Sequence, residues 1–169
     1  MDYLIHDMDK AAAAAICRWQ YPEPYGIYNI ADDPAEIAAM LDGCHRAVYT
    51  AKHGLVGFYC FGPSAQIPAG HRAGAYVGRK IIDMGLGLRP DCTGQGWGTG
   101  FVQAGVDYMR KERRLHAVRL TVAAFNQRAL KVYERVGFNV IDSFYSQTPR
   151  GAQEFFLLLL PLENMADPS

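Results

Sequence analysis

The pattern of apolar and polar positions predicts short strands interleaved with helices. The order β, α, α, β, β, β, α, β, α, β, β predicts an α/β (α+β) fold on a mixed, mostly antiparallel sheet of six to seven strands with about four helices. The strand-like runs are residues 3–5, two runs within His45–Gly62 around a turn at "KHG", Lys80–Pro90, His116–Phe125, 139–146 and 152–160. The helical runs are "KAAAAAICRWQ", "DDPAEIAAMLDG", "GFVQAGVDYMRKE" and "NQRALKVYERVGF".

Polar residues with short side chains mark where the helices begin. Asp7 or Asp9 is positioned to cap the first helix, Asp33 the second, and Asn126 the last. Gly137 follows the last helix, as expected for a C-terminal stop. These signals predict where the helices begin and end.

Two segments are less regular. Residues 18–29, "RWQYPEPYGIYN", place a tryptophan and three tyrosines around two prolines. This composition fits either a loop packed on the core or an aromatic wall beside a binding site. Residues 63–77, "PSAQIPAGHRAGAYV", are rich in Pro, Gly and Ala and are predicted to form a loop.

Length and charge indicate a single neutral domain. The chain has 169 residues, half of them hydrophobic and a fifth charged, so we expect one domain over 1–169. The 17 Lys and Arg balance 17 Asp and Glu, which gives no support to nucleic-acid binding. The short basic run Arg110–Arg114 fits the solvated end of a helix, with phosphate or partner contact as the alternative.

Cysteine and histidine usage predicts no metal site. Four widely spaced cysteines form no C-x-x-C, and five histidines form no H-E-x-x-H, so free thiols in a reducing compartment are expected. The N-terminus has no apolar run of signal length, and "FFLLLLPL" at Phe155–Leu162 is too short to span a membrane. We expect a cytoplasmic protein, without a membrane partner, that is a monomer or homodimer.

The most informative stretch is "LGLRPDCTGQGWGTG", Leu86–Gly100, between a strand and a helix. A glycine-rich turn at a helix N-terminus can bind an anion, because its N–H groups are unpaired and the helix dipole favours negative charge. No lysine follows the glycines as a P-loop requires, and the Rossmann pattern fails at Thr99 and Phe101. The pattern [QR]-x-x-G-x-[GA] fits at Thr93–Gly98, with Thr93 in place of Gln or Arg.

Residues Asp83–Phe138 resemble the GNAT superfamily of acyl-CoA-dependent N-acetyltransferases. The resemblance rests on "DMGLGLRPDCTGQGWGTGFVQAGVDYMRKE" and "LTVAAFNQRALKVYERVGF", with flanking elements in the family's order. It implies a sheet splayed between the fourth and fifth strands, with a bulge in the fourth, and acetyl-CoA as co-substrate. It implies transfer of an acetyl group to a primary amine of a small molecule or a protein or peptide N-terminus by direct attack in a ternary complex.

The resemblance assigns cofactor contacts to the glycine loop and to the fourth strand. The pyrophosphate would lie on the loop, and the pantetheine arm would pair with the strand. The residues implied are Leu86, Gly87, Leu88, Thr93, Gly94, Gln95, Gly96, Trp97, Gly98, Thr99 and Asn126. The Leu88 amide would hold the oxyanion. The Thr93 hydroxyl would replace the usual Gln or Arg contact to phosphate.

Tyr133 is the candidate general acid. Asn126 and Tyr133 are seven residues apart, which is two helical turns, so they share one face of the predicted helix. The resemblance implies that Tyr133 donates a proton to the departing thiolate. Tyr133 alone would also fit a core position on an amphipathic helix, and Asn126 alone would fit a helix cap.

The general base and the acceptor are left open. Asp83, His71 and a water chain are the alternatives for the base, because Thr121 stands where some relatives have Glu. Residues Trp19–Tyr28 and the loop around His71 are expected to border the acceptor amine. The alternative to catalysis is an inactive acyl-CoA-binding sensor or partner-binding module.

Overall fold

The computed structural model describes residues 1–112 and 115–162. The described residues form one seven-stranded sheet in the order β1-β2-β3-β4-β5-β7-β6. The strands are β1 (Leu4–Asp7), β2 (His45–Thr50), β3 (Gly54–Phe61), β4 (Ile81–Leu88), β5 (Ala117–Ala123), β6 (Asn139–Thr148) and β7 (Gly151–Pro161). The helices are α1 (Lys10–Cys17), α2 (Pro34–Ala39), α3 (Pro68–Arg72), α4 (Gly98–Glu112) and α5 (Gln127–Val136). The predicted α/β architecture is confirmed, and part of the basic run, residues 113–114, lies outside the described residues.

The helices begin at the predicted capping residues. Asp9, rather than Asp7, caps α1 by accepting from the Ala12 N–H at 2.7 Å. Asp33 caps α2, and Asn126 caps α5. Gly137 ends α5 in the left-handed conformation at φ 111°. Local hydrogen-bonding chemistry therefore sets these boundaries as the sequence predicts.

The segment predicted as a loop is more ordered than expected. Residues Gly62–Ala65 form a 3-10 turn and Pro68–Arg72 form α3, followed by Tyr76 packed among Phe144, His71 and the Arg119 guanidinium. The loop prediction was wrong for α3 because tertiary contacts made by Tyr76 hold a five-residue helix that local propensity does not specify.

The sheet has helices on both faces. One core lies under α4 and α5 and includes Met84, Phe101, Val118, Leu120 and Val122. On the other face, α1 and the end of α2 pack near Phe58, while α3 packs with β5, β6 and β7. Alternate residues of β4 and β5 thus face opposite layers, as strand geometry requires.

β4 and β5 are paired over only part of their length. Their parallel ladder consists of Ile81 with Ala117, Ile82 with Val118, and Asp83 with Arg119. Beyond Asp83, β4 stays with β3 and β5 stays with β7, so the two strands separate. The expected splay is confirmed, and it opens the sheet in the middle.

The expected bulge in β4 is not found in its pairing with β3. The register runs without a shift from Gly57 opposite Leu88 to Phe61 opposite Met84. Separation of β4 from β5 therefore does not rely on an extra residue in β4. It follows instead from the different partners that hold the two strands beyond Asp83.

Candidate active site

A cleft of about 720 Å³ follows the opening between β4 and β5. Its walls include Leu120, Val122 and Tyr133 from the face that carries α4 and α5. They also include Gln66 and Tyr28 from the opposite face. Because the strands are apart here, one cavity connects the two faces of the sheet, and groups from both faces border the same space.

The open edge of β4 presents backbone groups to this cleft. The Arg89 N–H donates to the Val56 carbonyl at 2.8 Å, which makes Arg89 and Val56 a hydrogen-bonded pair. Hydrogen-bonded and non-hydrogen-bonded pairs alternate in an antiparallel ladder, so the backbone groups of Leu86 and Leu88 point away from β3. The Leu88 carbonyl accepts from the Tyr21 hydroxyl at 2.8 Å, which leaves its N–H facing the cleft.

Gly87 has a different position from its two neighbours. It lies opposite Phe58 in the β3–β4 ladder, and by the same alternation its N–H and carbonyl point towards β3. A Cβ on Gly87 would lie 2.3 Å from the Phe58 ring, so the glycine leaves space for that ring. Gly87 lines the cleft, but its amide is not at the open edge.

The glycine loop leads from β4 into the first turn of α4. Gly94 and Gly96 have φ values of 71° and 80°, a region that residues with a Cβ rarely adopt. Gly98 is needed for a close approach, because a Cβ there would lie 2.9 Å from Val132 of α5. Glycine is therefore required at positions 94 and 96 by the backbone conformation of the loop, and at position 98 by the close packing of α4 on α5.

The amides of this loop are available to a ligand. Among the described residues, none accepts a hydrogen bond from the N–H groups of 94–99. The loop residues Gly94, Gln95 and Gly96 are exposed, and Thr99 is in the first turn of α4, whose dipole is positive at this end. The Trp97 side chain instead packs on His53, with ring centroids 5.0 Å apart.

Thr93 is engaged within the loop. Its hydroxyl donates to the Pro90 carbonyl at 2.7 Å, so its proton is not free for a phosphate oxygen. Positive charge comes from α5 instead, where Arg128, Lys131 and Arg135 line the same cleft. Their spacing of three and four residues places them on one helix face. This basic face was not predicted from the sequence, although the spacing of its three residues is visible there.

Tyr133 projects from α5 into the cleft. The residue is 8% exposed, and burial raises the pKa of its phenol above the ordinary value for tyrosine. No described residue forms a hydrogen bond with its hydroxyl, yet no side-chain polar atom of the described residues is both fully buried and unpaired. The Tyr133 hydroxyl therefore keeps access to the cleft, as a proton donor in it must.

Asn126 forms its hydrogen bonds within the protein. Its Oδ1 accepts from the Ala129 N–H at 3.2 Å, which is the α5 cap. Its Nδ2 donates to the Tyr28 hydroxyl at 3.3 Å. The same hydroxyl accepts from the Ala123 N–H at 3.3 Å, at the end of β5 where a strand neighbour is missing. Asn126 lines the cleft, and both polar atoms of its side chain already have partners within the protein.

The aromatic segment 18–29 contributes side chains both to the core and to the cleft wall. Trp19 packs near Phe58 in the core, while Tyr21, Tyr25 and Tyr28 line the cleft. Tyr25 is also covered by the Arg128 guanidinium, 4.3 Å from its ring centroid. Within this segment, Trp19 therefore packs in the core, whereas the three tyrosines form part of the cleft wall.

The residues suggested as general bases are not available in the cleft. Asp83 is 4% exposed and is bound by the Arg119 guanidinium and by Gln66. His71 is exposed, packs on the Tyr76 ring and does not line the cleft. Thr121 lines the cleft, with its hydroxyl 3.0 Å from that of Tyr76. The geometry thus removes both side-chain alternatives for the base.

Neither a metal-binding group nor a membrane-spanning helix is found in the described part of the chain. In residues 1–112 and 115–162, no group of three or more His, Cys, Asp or Glu side chains is arranged to hold a metal ion. Over the same residues, none of the helices has both the length and the apolar character needed to cross a bilayer.

Similarity to known proteins agrees with this architecture. The profile of the Acetyltransferase (GNAT) family matches residues 13–138. A GNAT-family acetyltransferase from Bacillus anthracis superposes with a TM-score of 0.73 at 15% identity over 95% of both chains. A Salmonella typhimurium protein whose structure contains its cofactor acetyl-CoA gives a TM-score of 0.66 at 17% identity, over 99% of this chain and 98% of that one.

A relative by sequence is the mycothiol acetyltransferase of Propionibacterium freudenreichii. It is 33% identical over 101 residues, which is 53% of this chain and 32% of that protein. The chain therefore spans about a third of the length of this curated relative. Fold, cleft and family profile together define the class: the chain belongs to the GNAT acetyltransferase family.

Proposed function

We propose that the protein transfers an acetyl group from acetyl-CoA to a primary amine by direct attack within a ternary complex. The observation that carries this proposal is the single cleft in which the open β4 edge, the unpaired loop amides and the Tyr133 hydroxyl meet. Each of these three groups suits one part of an acyl-CoA thioester and its reaction.

The residues of the cleft fit acetyl-CoA in shape and charge. The N–H groups of 94–99 and the positive end of α4 suit a pyrophosphate. Arg128, Lys131 and Arg135 add positive charge that Thr93 does not supply. The outward backbone groups of Leu86 suit an amide of a pantetheine arm, which would bind like a short additional strand beside β4 and leave the Leu88 N–H for the thioester.

The chemistry supplied by acetyl-CoA is an activated thioester. In our proposal the Leu88 N–H donates to the carbonyl oxygen as negative charge develops on it. Tyr133 holds the proton that the departing sulfur takes, and its raised pKa keeps the phenol protonated. Asn126 acts indirectly, by fixing the Tyr28 hydroxyl and the start of α5.

Titration calorimetry with acetyl-CoA, followed by a thiol-release assay with a panel of amines, tests this proposal. Binding together with amine-dependent release of CoA thiol is expected. Absence of acetyl-CoA binding would overturn the proposal. Binding without release on any amine would instead support the sensor alternative. Dephospho-CoA is a useful control ligand, because it lacks the 3′-phosphate but keeps the pyrophosphate and the pantetheine arm.

A further inference from the structure

We take the part of the cleft on the face opposite α4 and α5 as the acceptor side, and most of the side chains that line it are aromatic or aliphatic. Tyr21, Tyr28, Phe58, Ile67 and Phe155 border it. Among the described residues that line the cleft, none is a carboxylate or an imidazole. The charged lining residues in this part of the chain are the three cations of α5. The wall thus suits an apolar body and offers no anionic partner to a polyamine.

The other titratable groups of the cleft are poor proton acceptors. The cations already carry their protons, and tyrosine phenols are ordinarily protonated near neutral pH. Burial raises the pKa of the Tyr21, Tyr28 and Tyr133 phenols further. Burial also raises the pKa of the Cys60 thiol to about 12. Asp42 and His45 border a neighbouring pocket behind Ser64, whose hydroxyl donates to Asp42, and they do not line the cleft. Among the described residues, the side chains that line the cleft therefore include no general base for an ammonium ion.

Proton balance then limits the acceptor. When a neutral amine attacks, the C–N bond forms, the C–S bond breaks, nitrogen loses one proton and sulfur gains one. The proton that nitrogen loses restores the Tyr133 phenol after it has protonated sulfur, so the net reaction of a neutral amine releases no proton and needs no further base. An alkylammonium would first have to lose an additional proton, for which no described side chain lining the cleft is an acceptor.

Two polar groups on the acceptor side have a defined direction. Gln66 Nε2 donates to the Asp83 carboxylate at 2.6 Å, so Oε1 is turned away from it and has no described partner. The Tyr28 hydroxyl accepts from two N–H groups, Ala123 and Asn126, and its own proton has no described acceptor. One site therefore accepts an N–H from a ligand, and the other donates to a ligand oxygen.

We infer that the acceptor is an α-amino group next to a carbonyl, as in a peptide N-terminus or an amino-acid amide with an apolar side chain. This inference rests on the proposed function. Gln66 Oε1 accepts from the neutral amine, Tyr28 donates to the neighbouring carbonyl oxygen, and the aromatic wall holds the side chain. An α-amino group has a pKa of about 7.7–8.0 and an alkylamine about 10.4, so the neutral fractions near pH 7 differ by roughly 230- to 420-fold.

Three amines test the acceptor class with the wild-type protein. Phenylalaninamide and phenethylamine share the same ring, and spermidine represents the polyamines; kcat/KM is measured by thiol release from pH 6.5 to 9. At pH 7 we expect phenylalaninamide to exceed phenethylamine by at least 100-fold. The kcat/KM of phenethylamine should rise about tenfold per pH unit, following its own neutral fraction. A preference for spermidine, or a phenethylamine profile that levels off near neutral pH, would overturn the inference.

The variant Tyr28→Phe tests the carbonyl contact. Loss of one donated hydrogen bond should lower kcat/KM for phenylalaninamide about 3- to 10-fold. Phenethylamine, which has no carbonyl, is the matched control: it shares any loss caused by leaving the Ala123 and Asn126 N–H groups unpaired, and the loss for phenylalaninamide should be about 3- to 10-fold larger than that. An equal loss for both amines would assign Tyr28 a structural role and overturn the carbonyl contact. Thiol release from none of the amines would overturn the proposed transfer itself, whereas a reversed preference overturns the acceptor class alone.

Discussion

Asp83 and Arg119 form a buried two-point ion pair at the last position where β4 and β5 are joined. Arg119 Nε lies 2.6 Å from Asp83 Oδ1, and Nη2 lies 2.8 Å from Oδ2. The guanidinium also donates to the carbonyls of Ala75 and Val77. The pair thus holds the closed end of the splay, and its carboxylate also orients Gln66 at the acceptor side.

Removing one charge of this pair should destabilise the fold. In Asp83→Asn the Arg119 cation loses its buried partner, which typically costs about 3–5 kcal/mol. Urea unfolding measures the change. Asp107→Asn is the control, because its pair with Arg110 is at 3.7 Å and half exposed, and such pairs contribute about 0–1 kcal/mol. Equal losses in the two variants would contradict the importance given to the buried pair.

Replacing the Tyr133 phenol should affect chemistry more than binding. Tyr133→Phe should lower kcat by about 100-fold or more, as expected for loss of a general acid. The dissociation constant of acetyl-CoA, measured by calorimetry, should stay within about twofold, because the ring remains in place. Tyr145→Phe, at a residue 66% exposed on β6, should change neither value. A parallel loss of turnover and affinity would make Tyr133 a structural residue.

Gly96 and Gly43 have the same backbone conformation, but only Gly96 lies in the glycine loop. Substituting each in turn therefore distinguishes the effect of backbone strain from the loss of ligand binding. Gly96 and Gly43 have φ values of 80° and 81°, and nothing lies within 4 Å of a Cβ built on either. Alanine at each position should destabilise the protein by about 1–2 kcal/mol, because a left-handed residue with a Cβ is strained. Gly96→Ala alone should weaken acetyl-CoA binding, at least tenfold by calorimetry. Weaker binding in Gly43→Ala as well would attribute the effect to general instability.

The basic face of α5 should contribute to cofactor affinity through charge. Lys131→Ala and Arg135→Ala should each raise the dissociation constant of acetyl-CoA, roughly two- to fivefold at low salt. The difference from wild type should shrink as salt screens these exposed charges. Lys52→Ala, at an exposed position in the β2–β3 turn, is the control. A salt-independent effect would argue against a role for charge.

Asp42 should give the protein an acid-dependent component of stability. Partial burial opposes ionisation, but hydrogen bonds from Ser64, His45 and the Cys44 N–H lower its pKa to about 2 from an ordinary 3.8. A pKa lowered in the folded state adds stability above pH 3.8 that is lost as pH falls towards 2. The stability difference between wild type and Asp42→Asn, from urea unfolding, should therefore be larger at pH 5 than at pH 2.5. A constant difference would contradict this linkage.

Much of the fold could be predicted because its signals are local. The caps at Asp33 and Asn126, and the left-handed stop at Gly137, depend on hydrogen bonds within a few residues. The seven strands follow apolar patterning that one face of a sheet imposes. In contrast, α3 was missed, because Tyr76 and its neighbours are separated from their partners by long stretches of chain.

The candidate site likewise has some features that the sequence predicts and others that only the tertiary structure shows. The sequence alone determined the glycine loop before α4 and the two-turn spacing of Asn126 and Tyr133, because motif and helix period are contiguous properties of the chain. Only the tertiary structure decided that Asp83 is held by Arg119, that Gly87 faces Phe58, and that Gln66 and Tyr28 border the acceptor side. These relations depend on which strands pair and where they separate. Both are set only when segments that are distant in the sequence pack together.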